Sequence, residues 1–309
     1  MKMKTNYSGL WIVIVLLLIL VSCLSLVICL LILGFSQVPN DEEPQEAPIS
    51  IPAQEFEFEP TVPIIKPVDF QPVIDSWAAS VGGNRSVLVY DLDLDRFVGE
   101  YNPNEEYSTA SLYKLFVVYQ GYRNLQSGAW NPDDIAGWTG STVTECLDLA
   151  IRESDSTCAE MMLKLIGRDD LQSIMDNVFG MEHSSISGYY STPRDILNMM
   201  KIFYEHKDIT NQSLISQMKD SFLNQPVTIY DWRQGLPSGF SRAEAYNKVG
   251  WEYNPDAGRW DIYNDAAIVE FPENDRHFVV VVMTNGVSFT QIARLGAMLE
   301  ESFYNQNSV

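Results

Sequence analysis

The segment EYSTASLYKLFVVYQGY, Glu106 to Tyr122, constrains the fold more than any other part of the chain. From Leu112 onward it is apolar on almost every side, through Leu115, Phe116, Val117, Val118 and Tyr119. A helix without a polar face is stable only when other elements surround it, so this one is expected inside a domain. Lys114 stands near its start, one turn after Ser111, and residues three apart share a helix face. A buried lysine is costly unless it is neutralised, paired or used. The segment therefore demands a surrounding shell and a chemical reason for its lysine.

The surrounding sequence supplies elements for that shell. FQPVIDSWAASV reads as a helix, and RSVLVYDLD with RFVGEYNP as a β-hairpin. A long helical middle runs from Ser111 to about Leu223. AYNKVGWEY, DIYNDAAIVEFP and HFVVVVMTNG come next as three strands, and TQIARLGAMLEESFY closes the chain as a helix. Strands at both ends with helices between them predict an α+β fold. It comprises an antiparallel five-stranded sheet, terminal helices on one face and an inserted helical lobe, in one domain over residues 68–309. The aspartates of DLDLDRFVGE have calcium-loop spacing, but Arg96 stands where such a loop needs glycine and Asn102 where it needs glutamate. Asp91, Asp93 and Asp95 are instead read as a strand running into a turn.

Ahead of the domain, Leu10 to Phe35 contains no charge and no proline. Its length as a helix, roughly 39 Å, spans a bilayer core of about 30 Å with some tilt. Lys2 and Lys4 precede it and acidic residues succeed it. This places a cytoplasmic N-terminus at 1–9, a transmembrane anchor at 10–35 and everything after Phe35 outside, extracellular or periplasmic. A competing reading is lipoprotein processing at Cys23 within LVSC, against which the apolar run continues too far beyond the cysteine. Residues 36–67 form an acidic, proline-rich linker with seven carboxylates against Lys66 alone. The net charge of −21 argues against a nucleic-acid partner. Cys146 and Cys158 remain for the exported domain, either as a disulfide or as two buried thiols. His183, His206 and His277 are scattered singly, so no metal site and no cofactor is expected.

A Ser-x-x-Lys pair alone is weak, and the chain carries its own decoy in Ser216 to Lys219 of an amphipathic helix. Ser111 and Lys114 are set apart by two later segments. ESDSTCAEMMLKLIG places Ser154-Asp155-Ser156 ahead of an apolar helix, and NKVGWEY places Lys248-Val249-Gly250 at a strand. This ordered trio, with STPRDI, RQGLPSG and YNDAAIVEFP around it, resembles class A β-lactamases and their penicillin-binding relatives over nearly the whole exported domain. The resemblance implies a Ser111 nucleophile, Lys114 as its base, and a Ser154 hydroxyl bridging Lys114 and Lys248. It also implies an oxyanion site from the amides of Ser111 and Trp251, with Gly250 allowing close substrate approach and Ser156 where the family usually has asparagine. Asp155 is read as structural.

Three departures bear on function. The loop glutamate that hydrolyses the acyl-enzyme in class A enzymes has no counterpart between Met161 and Thr192, and Glu182 is expected in a turn. Val249 replaces a threonine or serine whose hydroxyl helps to bind the substrate carboxylate. The hairpin after Lys248 is long and carries Arg259, read as a solvated turn residue. The expected activity is a membrane-anchored serine hydrolase acting on β-lactam rings, monomeric in its exported domain. The alternatives are a peptidase acting on peptidoglycan stem peptides with slow release of β-lactams, or a silent wall-binding module.

Overall fold

A computed structural model describes residues 65–223, 225 and 233–307. The proposed anchor at 10–35 and nearly all of the linker lie outside the described residues. Among the described residues, no helix is long and apolar enough to cross a membrane.

The sheet is built from β1 (Asn84–Asp91), β2 (Arg96–Tyr101), β5 (Glu244–Asn254), β6 (Arg259–Phe271) and β7 (Arg276–Asn285), in the order β2-β1-β7-β6-β5. Every neighbouring pair is antiparallel. The central strands are apolar in consecutive positions because both of their faces are covered. Leu88, Val279, Val281 and Met283 point into one core, while Val87, Val89, Val280 and Val282 point into the other. The second core is closed by α1 (Gln71–Ser80) and α9 (Phe289–Asn307), the two terminal helices, with Leu236 of the short α8 (Leu236–Gly239) packed in the same core. Trp77 is fully buried there. Phe303 stacks on Phe271, with ring centroids 3.8 Å apart.

The first core holds the helical lobe. Its centre is α2 (Lys114–Gln126), buried from Lys114 through Tyr122, as an all-apolar helix requires. Around it lie α3 (Val143–Arg152), α4 (Ser156–Ile166), α5 (Arg168–Ile174), α6 (Pro193–Glu205) and α7 (Gln212–Leu223). Local signals start these helices. Thr142 and Glu145 form a reciprocal capping box on α3. Thr192 caps α6, with Pro193 in its first turn. Asp155 caps α4 by accepting from the Cys158 amide at 2.7 Å, the structural role expected of it.

The middle of the chain is less uniformly helical than its composition predicts. β3 (Tyr107–Ser108) pairs with β4 (Tyr190–Ser191) in a small second sheet. Two-residue strands leave no periodic signal, and only the fold brings these segments together. Cys146 on α3 and Cys158 on α4 form a disulfide, which resolves the open question of their state. The aspartates of the β1–β2 turn are held by cations of the fold. Arg276 bonds Asp91 and Asp93, His277 Nδ1 lies 3.0 Å from Asp93, and Lys201 pairs with Asp95 at 3.3 Å.

Candidate active site

The nucleophile candidate does not open an α-helix directly. Ser111 lies in a 3₁₀ turn, Ala110–Tyr113, that leads into α2. In such a turn residues three apart eclipse one another, so Ser111 and Lys114 project from the same side. Ala110, just before it, has φ +44. A left-handed non-glycine residue of this kind costs on the order of 1–3 kcal/mol and persists only where its surroundings impose it. Asn264 of β6, wholly buried, supplies that imposition. Its Nδ2 donates to the carbonyls of Ser108 (2.9 Å) and Thr109 (3.3 Å), and its Oδ1 accepts from the Thr284 amide (3.0 Å). The turn is thereby fastened to the sheet.

Strand β5 passes directly against this turn. A methyl group built on Gly250 would lie 2.5 Å from the Thr109 carbonyl oxygen and 3.2 Å from the Ser111 amide nitrogen. The glycine expected to admit a substrate is thus required first by the protein's own backbone. Alternation along β5 puts Lys248, Gly250 and Glu252 on the cleft side, where Glu252 accepts from Ser108 Oγ. Trp251 presents its side chain to the other face, 5.5 Å from the Trp260 ring, so only its backbone is offered to the cleft. Val249 also points away and is 1% exposed in the core under the terminal helices. The expectation that a hydroxyl has been lost from the substrate's surroundings is therefore corrected, because alternation turns this position inward.

Two buried amines meet at one hydroxyl. Ser154 Oγ accepts from Lys248 Nζ at 2.8 Å and from Lys114 Nζ at 3.3 Å. Lys114 also donates to the Ser154 carbonyl and, at 3.1 Å, to Ser156 Oγ. Ser154 itself has φ +54, which turns its side chain and carbonyl to the same partner. Sequence spacing places Lys114 beside Ser111, but among the described residues its hydrogen bonds all go to the Ser154–Ser156 segment. The Ser111 hydroxyl has no protein hydrogen-bond partner among them, and Ser111 is partly open to solvent. The long lysine chain reaches past the short serine to a loop 40 residues on.

Burial favours the neutral form of both amines. It pushes Lys114 down to about 8, against the opposing pull of Asp155 and Glu160. Lys248 is driven well below its ordinary value by burial and then by the charge of Lys114, against the pull of Asp265. Asp265 is itself pushed up to about 7 by burial, despite bonds from Asn247 Nδ2 and the Leu236 amide.

The remaining predicted positions are peripheral. Glu182 lies exposed in a turn, as expected. Arg259 begins β6 rather than sitting in the turn. Its side chain is 67% exposed and pairs with Asp261 at 3.1 Å. The decoy pair Ser216 and Lys219 is exposed on α7. No cluster of His, Cys, Asp or Glu able to hold a metal is present among the described residues. Sequence reasoning missed Asn264, which had only the YNDAA context to mark it. It also missed Glu160, Tyr113 and Tyr189, which no motif connects.

The antiparallel sheet covered by terminal helices, with its inserted helical lobe, is the fold of class A β-lactamases. A β-lactamase from Chitinophaga pinensis has this fold, with a TM-score of 0.64 at 16% identity over 74% of this chain and 97% of that one. The chain belongs to the β-lactamase enzyme family, whose model matches residues 69–303. Among its relatives, a β-lactamase of Bacillus subtilis is 24% identical over 237 residues, covering 68% of this chain and 70% of the relative. β-Lactamase ROB-1 of Haemophilus influenzae is 20% identical over 291 residues, covering 87% and 89%.

Proposed function

We propose that this protein is a serine hydrolase that opens β-lactam rings through an acyl-enzyme on Ser111, tethered to a membrane by residues 10–35 with its catalytic domain outside. The observation that carries the reading is the Ser154 hydroxyl held between Lys114 and Lys248, with the Ser111 turn pressed against β5. In the first step neutral Lys114 takes the proton of Ser111 Oγ as that oxygen attacks the lactam carbonyl. The amides of Ser111 and Trp251 receive the oxyanion. When the C–N bond breaks, the proton passes from Lys114 through Ser154 to the leaving nitrogen, and Ser154 ends with its own proton restored. Lys248 attracts the substrate carboxylate, and Ser156 faces the substrate amide.

A second reading, a penicillin-binding peptidase acting on peptidoglycan stem peptides, is favoured by one observation. Glu182, the only glutamate between Met161 and Thr192, lies in an exposed turn. On that reading the β-lactam adduct is released slowly. Intact-mass spectrometry of the full chain with benzylpenicillin tests both. Rapid acylation with fast turnover supports the lactamase, and an adduct lasting hours supports the peptidase. Absence of both an adduct and benzylpenicillin hydrolysis with the native chain, or retention of either in Ser111→Ala, refutes the acyl-enzyme.

A further inference from the structure

Next to the serine–lysine centre lies a polar cluster to which the acylation steps assign no role. Lys114 Nζ sits 5.9 Å from the centroid of the Tyr113 ring. The Tyr113 hydroxyl donates to Glu160 Oε1 at 2.8 Å, and the Tyr189 hydroxyl donates to the same oxygen at 2.8 Å. Arg168 Nη2 donates to Glu160 Oε2 at 2.8 Å and to Tyr189 Oη at 2.6 Å. The two tyrosine rings meet edge to face, 4.8 Å apart. The cluster is also tied to the nucleophile. The Tyr189 carbonyl accepts from the Thr109 amide (2.7 Å) and Thr109 Oγ1 (3.1 Å), two residues before Ser111.

Burial raises both phenols above their ordinary range, so each keeps its proton and can only donate to Glu160. The Glu160 carboxylate thus accepts from two hydroxyls and a guanidinium, and these three donors fix its orientation. The carboxylate is thereby held at the hydroxyl end of the Tyr113 ring, over which Lys114 Nζ lies.

We propose that Glu160 is a positioning residue for the Ser111 chemistry: its carboxylate, locked by Tyr113, Tyr189 and Arg168 beside the ring that Lys114 overlies, contributes to the pH at which Lys114 activates Ser111. This inference rests on the acyl-enzyme reading for its consequence, but not for its physical content. Lys114 has to take a proton and then hold it until the leaving nitrogen receives it. Burial alone would make it too weak a base to hold that proton, and Asp155 and Glu160 oppose burial, in that order of size. The groups facing Lys114 are thus Lys248 from β5, Asp155 from the loop before α4, and Glu160 from α4, with Arg168 of α5 partly offsetting Glu160.

Glu160→Gln preserves the size of the side chain and its acceptor oxygen but removes the charge. The full chain in detergent micelles, labelled with ¹³Cε-lysine, is titrated by NMR, with the Lys114 signal assigned by its loss in Lys114→Arg. The side chains of Glu160 and Arg168 are 40% and 41% exposed, so the effect is screened. The expected downward movement of the Lys114 titration is about 0.5–1 pH unit. The acid limb of acylation by benzylpenicillin should move with it. Arg168→Gln removes the opposing cation and should move both upward, a sign reversal that simple loosening of the cluster would not produce. The inference is overturned if Lys114 titrates as in the native chain in Glu160→Gln, or if both variants move it the same way. A native chain that benzylpenicillin fails to acylate would sink the proposed function, while the lysine titration would still decide the role of Glu160.

Discussion

Gly250→Ala is the sharpest test of how the cleft is built. The added methyl would stand 2.5 Å from the Thr109 carbonyl, and contacts under 3.0 Å force something to shift. Both partners are backbone, so no side chain can swing away. Strand β5 and the Ser111 turn must separate by about 0.5 Å at least, and by about 1 Å for an unstrained contact. The turn is held from behind by Asn264. The displacement therefore falls on β5, which carries Lys248 and the Trp251 amide. Overpacking of this kind costs about 1–3 kcal/mol of stability. Misplacing reacting groups by about 1 Å costs roughly 100-fold in rate. The acylation rate constant for benzylpenicillin, read by quenched flow and intact mass, should thus fall about 100-fold, with a lower melting temperature. A variant that acylates at the native rate with unchanged melting would show that the glycine is not what brings strand and nucleophile together.

Burial makes three further outcomes testable. Lys114→Met should abolish acylation yet stabilise the fold, because the buried ammonium is held at about 8 against an ordinary value of 10.5. That difference is worth on the order of 3 kcal/mol. The unfolded chain binds this proton more tightly, so native stability rises with pH between about 8 and 10.5, and the gain from Lys114→Met is largest below 8 and fades through that window. Denaturant titrations at pH 7 and 10 measure it, and an equal gain at both would refute the assignment. On the proposal that neutral Lys114 is the base, native acylation should rise about tenfold per unit from pH 6 toward 8 and then level, as a pH–rate profile would read directly. Val249→Thr should destabilise by about 1–3 kcal/mol, as a buried hydroxyl without a partner does, and leave acylation efficiency unchanged. Tighter substrate recognition in that variant would restore the reading that the hydroxyl faces the substrate.

Much of this protein was legible in its primary structure because the signals involved are local. Apolar periodicity marked the five strands and the buried central helix, whose only stable place is a core. Asp155 was read as structural, and the cap it forms on α4 acts within three residues. The order Ser111–Lys114, Ser154–Ser156, Lys248–Gly250, with the segments around it, carried the resemblance to the family. The rest depends on which segments become neighbours. The resemblance implied that Ser154 bridges Lys114 and Lys248, but only the packed loop shows that the Lys114 hydrogen bonds go there and to Ser156 rather than to Ser111. The motif explains Gly250 by a substrate, whereas the fold explains it by the Thr109 carbonyl. Val249 looked like a lost contact until alternation along β5 turned it into the core. Glu160 belongs to no motif, and its meeting with Tyr113, Tyr189 and Arg168 joins two helices, a turn and a loop. Local chemistry is written in consecutive residues, but the electrostatics of a buried amine is a sum over every element folded around it, and only the tertiary structure decides that sum.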